Sequence, residues 1–280
     1  MLHPDAAHLA AVQTLTRAGF APPAPWAALH NRYTEFFAMT RPMGARLAAA
    51  IISGEGDVPA LRAAALAEET AKSTNVATVN NAVMAAVCDG LRAAYKPTAG
   101  RQYAAVAARF DQLAGKLTAC VKQVNPDLSP DELLAVIGDT EKIRAAWYGA
   151  VDVGAALDSF EVVLRSAAYL VGAPAAVLST VAREGVEYKL PLIADLGKGK
   201  HRPFFEAYEA GSCRAGRLAG LIKAGATVRA CPNPERLKAY ERPGKLLYRF
   251  ESGGRPHTVI DPEDKAGREA LAGAGAAEWG

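Results

Sequence analysis

The sequence predicts a mainly α-helical protein. Residues 1–185 read as a bundle of long helices that includes a helical hairpin, and residues 186–280 as a small, basic α+β region. Three observations predict it. Alanine, the residue with the best intrinsic helix propensity, fills 60 of the 280 positions. Apolar residues recur at helical spacing through most of the first 185 positions. After Gly185 the texture changes to short alternating runs punctuated by Gly and Pro.

Element by element, Pro4 opens and Gly19 closes a helix over about 4–18, with proline at the start and glycine past the end. Pro22, Pro23 and Pro25 interrupt the chain. A second helix over about 25–39 carries Trp26, Leu29, Tyr33, Phe36 and Phe37 on one face, and a third spans about 41–52. Asp57 is placed as the N-cap of a helix running towards Tyr95 and faltering at Ser73-Thr74-Asn75. Pro97-Thr98-Ala99-Gly100 reads as a short connection. Beyond it Tyr103, Val106, Phe110, Leu113, Leu117, Cys120 and Val124 alternate spacings of 3 and 4, a heptad pattern. Two such helices with a short connector predict an antiparallel pair.

Ser129-Pro130-Asp131-Glu132 is a capping box with proline at the first helical position. It opens a short helix ending at Gly138. A long helix then spans about 140–171, with Ile143, Trp147, Val151, Leu157, Phe160, Leu164 and Ala167 inward, and a further helix lies between Pro174 and Gly185. In the C-terminal region, Val186 to Leu192 is strand-like, and a helix runs over about 204–224. Thr227 to Cys231 is a strand. Leu246 to Phe250 and His257 to Ile260 form a hairpin across Gly253-Gly254, and a weak amphipathic helix follows Asp261.

Charge is segregated. The whole chain carries only +3, yet residues 198–255 hold 13 Lys or Arg against 5 Asp or Glu. Lys198, Lys200, Arg202, Arg214, Arg217 and Lys223 form a basic-patch candidate, interleaved with Phe204, Phe205, Tyr208, Tyr240, Tyr248 and Phe250. Basic side chains neutralise phosphates and aromatic faces stack on bases, so nucleic acid is one partner this segment fits. A solvated basic face, or one turned to an acidic protein, is the commoner outcome.

Catalytic signals fail on inspection. Gly197-Lys198-Gly199-Lys200 lacks the phosphate-loop spacing, and Pro203 removes a backbone donor. Gly211-Ser212-Cys213-Arg214 is not a nucleophile elbow; Arg214 would lower the pKa of Cys213, but a structural thiol is more common. His3 and His8 would share a helix face at the start of the sequence, and His30, His201 and His257 have no Cys, Asp or Glu at ligand spacing nearby. Asp152 with Asp158, or Glu206 with Glu209, would supply carboxylate pairs that exposed helix acids explain equally well. Cys88, Cys120, Cys213 and Cys231 form no CxxC pair and read as reduced thiols.

The segment 129–147 is similar in rhythm to a helix-turn-helix: a short capped helix, a glycine turn at Gly138, a second helix. That second helix, however, continues far beyond recognition-helix length, and Asp139 and Glu141 in its first turn would repel phosphates.

These readings lead to an expected non-catalytic assembly or interaction protein without cofactor or metal, of the kind found in a phage virion. Its self-association seam would be Tyr103, Val106, Phe110, Leu113, Leu117 and Val124, and its C-terminal module would be a basic contact surface. The alternative is nucleic-acid binding through 198–255. No signal peptide and no apolar run of about 18 residues is visible, so the expectation is cytoplasmic synthesis, with no membrane partner.

Overall fold

The structure, a computed structural model, describes residues 4–38, 43–70, 74–137, 141–179, 186–244, 246–250 and 256–264. It is mainly α with a small α+β C-terminal part, and it divides into two compact units, residues 1–98 and 99–280.

The first unit contains α1 (Pro4–Arg17), α2 (Ala24–Ala38), α3 (Met43–Ser53) and α4 (Val58–Thr70), with the beginning of α5 (Thr74–Gln123). Ala11, Val12 and Leu15 of α1, Trp26 of α2, and Cys88, Leu91 and Tyr95 of α5 are buried. His8 is buried with them. Its Nε2 accepts from Trp26 Nε1 at 3.1 Å, and its ring meets Tyr95 edge-on at 5.8 Å. Asp57 caps α4 as its sequence position suggests, Oδ1 accepting from the Ala60 N–H at 3.0 Å. Of the falter expected at Ser73-Thr74-Asn75, Ser73 lies outside the described set and Thr74 and Asn75 are the first residues of α5.

The connection expected at Pro97-Thr98-Ala99-Gly100 is instead continuous helix, so the helical hairpin with its turn there is not formed. Buried positions explain it. Cys88, Leu91, Tyr95, Ala99, Tyr103, Val106 and Phe110 follow one another at spacings of 3 and 4, and Ala99 carries the pattern across the proline. Pro97 itself is exposed. It deletes one backbone donor and clashes with the preceding turn, at a cost of about 3 kcal/mol in a helix interior, which burial on both sides offsets. The Thr98 hydroxyl donates to the Tyr95 carbonyl at 3.0 Å.

The second unit is built on the rest of α5, α6 (Pro130–Ile137) and α7 (Glu141–Val171). The capping box forms reciprocally: the Ser129 N–H donates to Glu132 Oε2 at 2.8 Å, and the Glu132 N–H to Ser129 Oγ at 3.2 Å. Gly138 lies outside the described residues. Val124, Leu133, Ala146 and Trp147 close a core at this end, and Trp147 Nε1 donates to the Leu128 carbonyl at 3.1 Å. α7 is buried along Leu157, Phe160, Glu161, Val163, Leu164, Ala167 and Ala168, as befits a central helix. A 3₁₀ turn (Ala175–Leu178) stands where a helix was expected, residues 180–185 falling outside the described set.

The C-terminal part folds onto these helices as β1 (Val186–Glu187), α8 (Leu190–Ile193), β2 (Ala194–Asp195), α9 (Arg202–Ala210), α10 (Arg217–Lys223), β3 (Thr227–Val228), β4 (Tyr240–Glu241), β5 (Leu247–Phe250) and β6 (Pro256–Ile260). The strands pair antiparallel as β1 with β4, β2 with β3 and β5 with β6. The expected hairpin is present. Its Gly253-Gly254 turn and the tail helix from residue 265 lie outside the described residues. Two expectations change. The strand-like 186–192 is a two-residue strand followed by one helical turn, and the helix over about 204–224 is two helices. The break has a local cause: Gly211 at φ +55° and Gly216 at φ +90° occupy left-handed conformations that end α9 and precede α10.

Among the described residues, no helix is long and apolar enough to cross a membrane.

Candidate functional site

The densest chemistry lies where α9 and α10 pack on α7. Gly154 lets it form: a Cβ there would sit 1.9 Å from the Ala215 carbonyl oxygen, so only glycine admits the 213–216 turn against α7. One turn later, Asp158 accepts from the Arg217 and Leu218 backbone N–H groups at the start of α10. A Cβ on Gly216 would meet Asp158 Oδ2 at 2.5 Å.

Glu161, only 2% exposed, lies on the same side of α7 as Leu157 and Leu164. The Tyr208 hydroxyl donates to its carboxylate at 3.2 and 3.3 Å, Arg165 Nε lies 3.5 Å away, and an Arg217 nitrogen lies 4.0 Å away. The Arg217 guanidinium also sits 5.0 Å over the Tyr208 ring. Burial pushes the Glu161 and Asp158 carboxyls up, against the pull of the two arginines, and pushes the Tyr208 phenol up as well. Asp158 Oδ1 and Arg165 Nε are buried without a hydrogen-bond partner. Buried in this way, Glu161 is closed to a substrate.

Two clefts open elsewhere in this unit. The first, about 390 Å³, is lined by Tyr103, Asp111, Cys231 and Glu235 among others. Its central polar groups are engaged: the Tyr103 hydroxyl donates to the Cys231 carbonyl, and Asp111 Oδ1 accepts from the Ala230 N–H at 2.7 Å. The second, about 480 Å³, is lined by His201, Tyr240, Arg242, Gly244, Pro262 and Glu263. There Arg242 bonds Glu187 at 2.9 Å and pairs with Glu209, while Glu263 holds the start of α9. Among the described residues, no three His, Cys, Asp or Glu side chains converge as metal ligands.

The heptad positions face inward. Tyr103, Val106, Phe110, Leu117 and Val124 are buried in the second unit, and Leu113 is half-buried. The basic-patch residues meet carboxylates from outside the 198–255 segment. Lys200 pairs with Asp264, Arg202 with Asp261 at 2.6 Å, and Lys223 with Asp127. Arg217 lies near Glu161, and Arg214 stacks 3.3 Å over the Trp147 ring. Lys198 is exposed and has no ion pair among the described residues. Cys213 lies against Asp127, and burial pushes its thiol up, opposite to the thiolate that Arg214 would favour. Of the carboxylate pairs considered from sequence, Asp158 works with Glu161 rather than with Asp152. The signal for Glu161 was present, as a lone acid at helical spacing from Leu157 and Leu164 within Phe160-Glu161-Val162-Val163-Leu164.

Comparison with protein-family models, with curated proteins and with solved structures finds no match to this chain.

Proposed function

We propose that this is a non-catalytic assembly or interaction protein that associates with further copies of itself; a structural component of a virion is one protein of this kind. The observation that carries the reading is where exposed apolar surface lies. In the first unit, Ile51 and Ile52 in the last turn of α3 are 62% and 85% exposed, and Leu66 on α4 is 57% exposed. Burying one such side chain fully is favourable by about 1.5–3 kcal/mol, so adjacent exposed isoleucines favour a contact that covers them. In the second unit Leu134, Tyr148 and Val162 are also exposed, but no two of them are adjacent in sequence.

The alternative, nucleic-acid binding through 198–255, requires cations free to meet phosphates, and Lys200, Arg202, Lys223, Arg229 and Arg242 are already paired. Light scattering of the full chain tests the assembly reading. A multimer that dissociates in the Ile51→Asp/Ile52→Asp double variant is expected; a monomer at every concentration would contradict it.

A further inference from the structure

We propose that loop 197–202 and the start of α9 form a receptor for an acidic peptide segment, filled here by the chain's own turn 261–264 and open to an acidic segment of a partner protein. The proposal rests on the interaction reading above and names the chemistry of a partner.

The turn Asp261-Pro262-Glu263-Asp264 seats every one of its charges. Asp261 receives the Arg202 guanidinium as a fork, Nε to Oδ2 at 2.8 Å and a terminal nitrogen to Oδ1 at 2.6 Å. The two oxygens of Glu263 each take one of two successive backbone N–H groups, His201 at 2.9 Å and Arg202 at 2.8 Å. Asp264 pairs with Lys200. The second terminal contact of Arg202, to the Gly244 carbonyl at 2.6 Å, fixes the guanidinium plane. Arg202 and its neighbours hold Asp261 down at about 2, and Asp264 raises Lys200. Three carboxylates at positions i, i+2 and i+3 of a peptide are thus read by two cations and two adjacent backbone donors. Planar bidentate recognition of this kind selects carboxylates by shape as well as charge.

Three features suit the receptor to exchange. Its outer pair is open to water, Lys200 being 53% and Asp264 40% exposed, and such exposed pairs contribute little. The cleft of about 480 Å³ adjoins it, sharing His201, Gly244, Pro262 and Glu263, and leaves room beside the turn. Lys198, next to the loop, has no ion pair among the described residues and would meet a longer acidic segment. A peptide is favoured over a nucleic acid because base stacking needs open aromatic faces. Among the aromatic side chains described in the segment, Phe205 and Tyr208 are buried and Phe204 and Tyr240 half-buried, Tyr240 with its ring tilted against His201 at 5.0 Å.

The test is a fluorescence-anisotropy titration of full-length protein with a labelled synthetic peptide of residues 258–266, at low ionic strength. The tethered turn competes at a high effective concentration, so Asp261→Asn/Glu263→Gln/Asp264→Asn should bind the peptide at least about tenfold more tightly than the unaltered chain. Asp264→Asn alone, which frees only Lys200 and leaves the buried contacts in place, should gain about twofold to threefold. Adding Arg202→Gln to the triple variant, or Lys200→Gln to Asp264→Asn, should abolish the gain. Equal binding, or none, by the unaltered chain and both variants would overturn the proposal. Tighter binding of the opened variant to a thymidine oligonucleotide of the same net charge would overturn the assignment to a peptide. The titration is read on multimer and monomer alike. A monomeric chain that takes up the peptide in this pattern would remove self-assembly and keep the receptor.

Discussion

The two units contrast in the reach of their ion pairs along the chain. In the second, carboxylates from distant positions come to the basic segment: Asp127 to Lys223, Asp195 to Arg229 at 2.8 Å, Glu187 to Arg242 at 2.9 Å, Asp261 to Arg202. A stretch that reads as strongly positive in sequence folds so that Lys200, Arg202, Lys223, Arg229 and Arg242 each meet a carboxylate. In the first unit Arg92 pairs with Asp89 three positions away and His8 accepts from Trp26 in the core; Ile51, Ile52 and Leu66 are exposed there, as Leu134, Tyr148 and Val162 are in the second. A charge-rich stretch can thus owe much of its charge to internal pairing, while the adjacent exposed isoleucines of α3 are where self-association is proposed.

The largest effect that would break this comparison is at Gly154. Gly154→Val should destabilise the protein by about 3 kcal/mol or more in urea unfolding, because the new side chain meets the Ala215 carbonyl and forces the 213–216 turn off α7. Gly149→Ala in the same helix, where a Cβ would lie 3.8 Å from Cys120 Sγ, should instead stabilise by about 0.5–1 kcal/mol. Equal losses at both sites would show that the close approach at Gly154 is not what holds the second unit together.

Core against surface gives the next contrast. Phe110→Ala, at a fully buried position, should cost about 3–5 kcal/mol. Ile52→Ala should leave the stability of the isolated chain within about 0.5 kcal/mol and change its association instead. Measuring midpoint and mass for both variants checks the two halves together.

A smaller effect concerns pH. Burial raises Glu161 above its ordinary 4.5, so the fold prefers the neutral carboxyl. Stability from this preference is present below the unfolded value and lost as pH rises through the folded one. Thermal melts from pH 4 upward should therefore fall less steeply for Glu161→Gln than for the unaltered chain. Asp158, raised in the same direction, keeps a residual slope in both. A steeper fall in the variant would mean that pairing with Arg165 and Arg217 outweighs the burial of Glu161.

Local chemistry was legible in the sequence and long-range pairing was not. The caps at Asp57 and at Ser129 with Glu132 form as their spacing suggests, because a cap is satisfied within one helical turn. Pro97 misled, since the spacing of buried residues that carries the helix through it depends on Ala99, too small to stand out in an alanine-rich stretch. The two helices in place of one over 202–223 turn on the positive φ angles of Gly211 and Gly216, which glycine permits but does not announce. Tyr208 reaches Glu161 across 47 positions and Arg202 reaches Asp261 across 59, separations at which no spacing rule operates. The heptad residues, expected as a self-association seam, pack within the second unit. Leu117 is fully buried, so a polar group there would disrupt the second unit rather than dissolve a multimer.

The most direct test of the assembly reading is the solution mass of the full chain by light scattering over about a tenfold concentration range. The account predicts a mass of two or more chains, falling to one in Ile51→Asp/Ile52→Asp with unchanged helical circular dichroism. The mass of a single chain at every concentration, before any substitution, would contradict it.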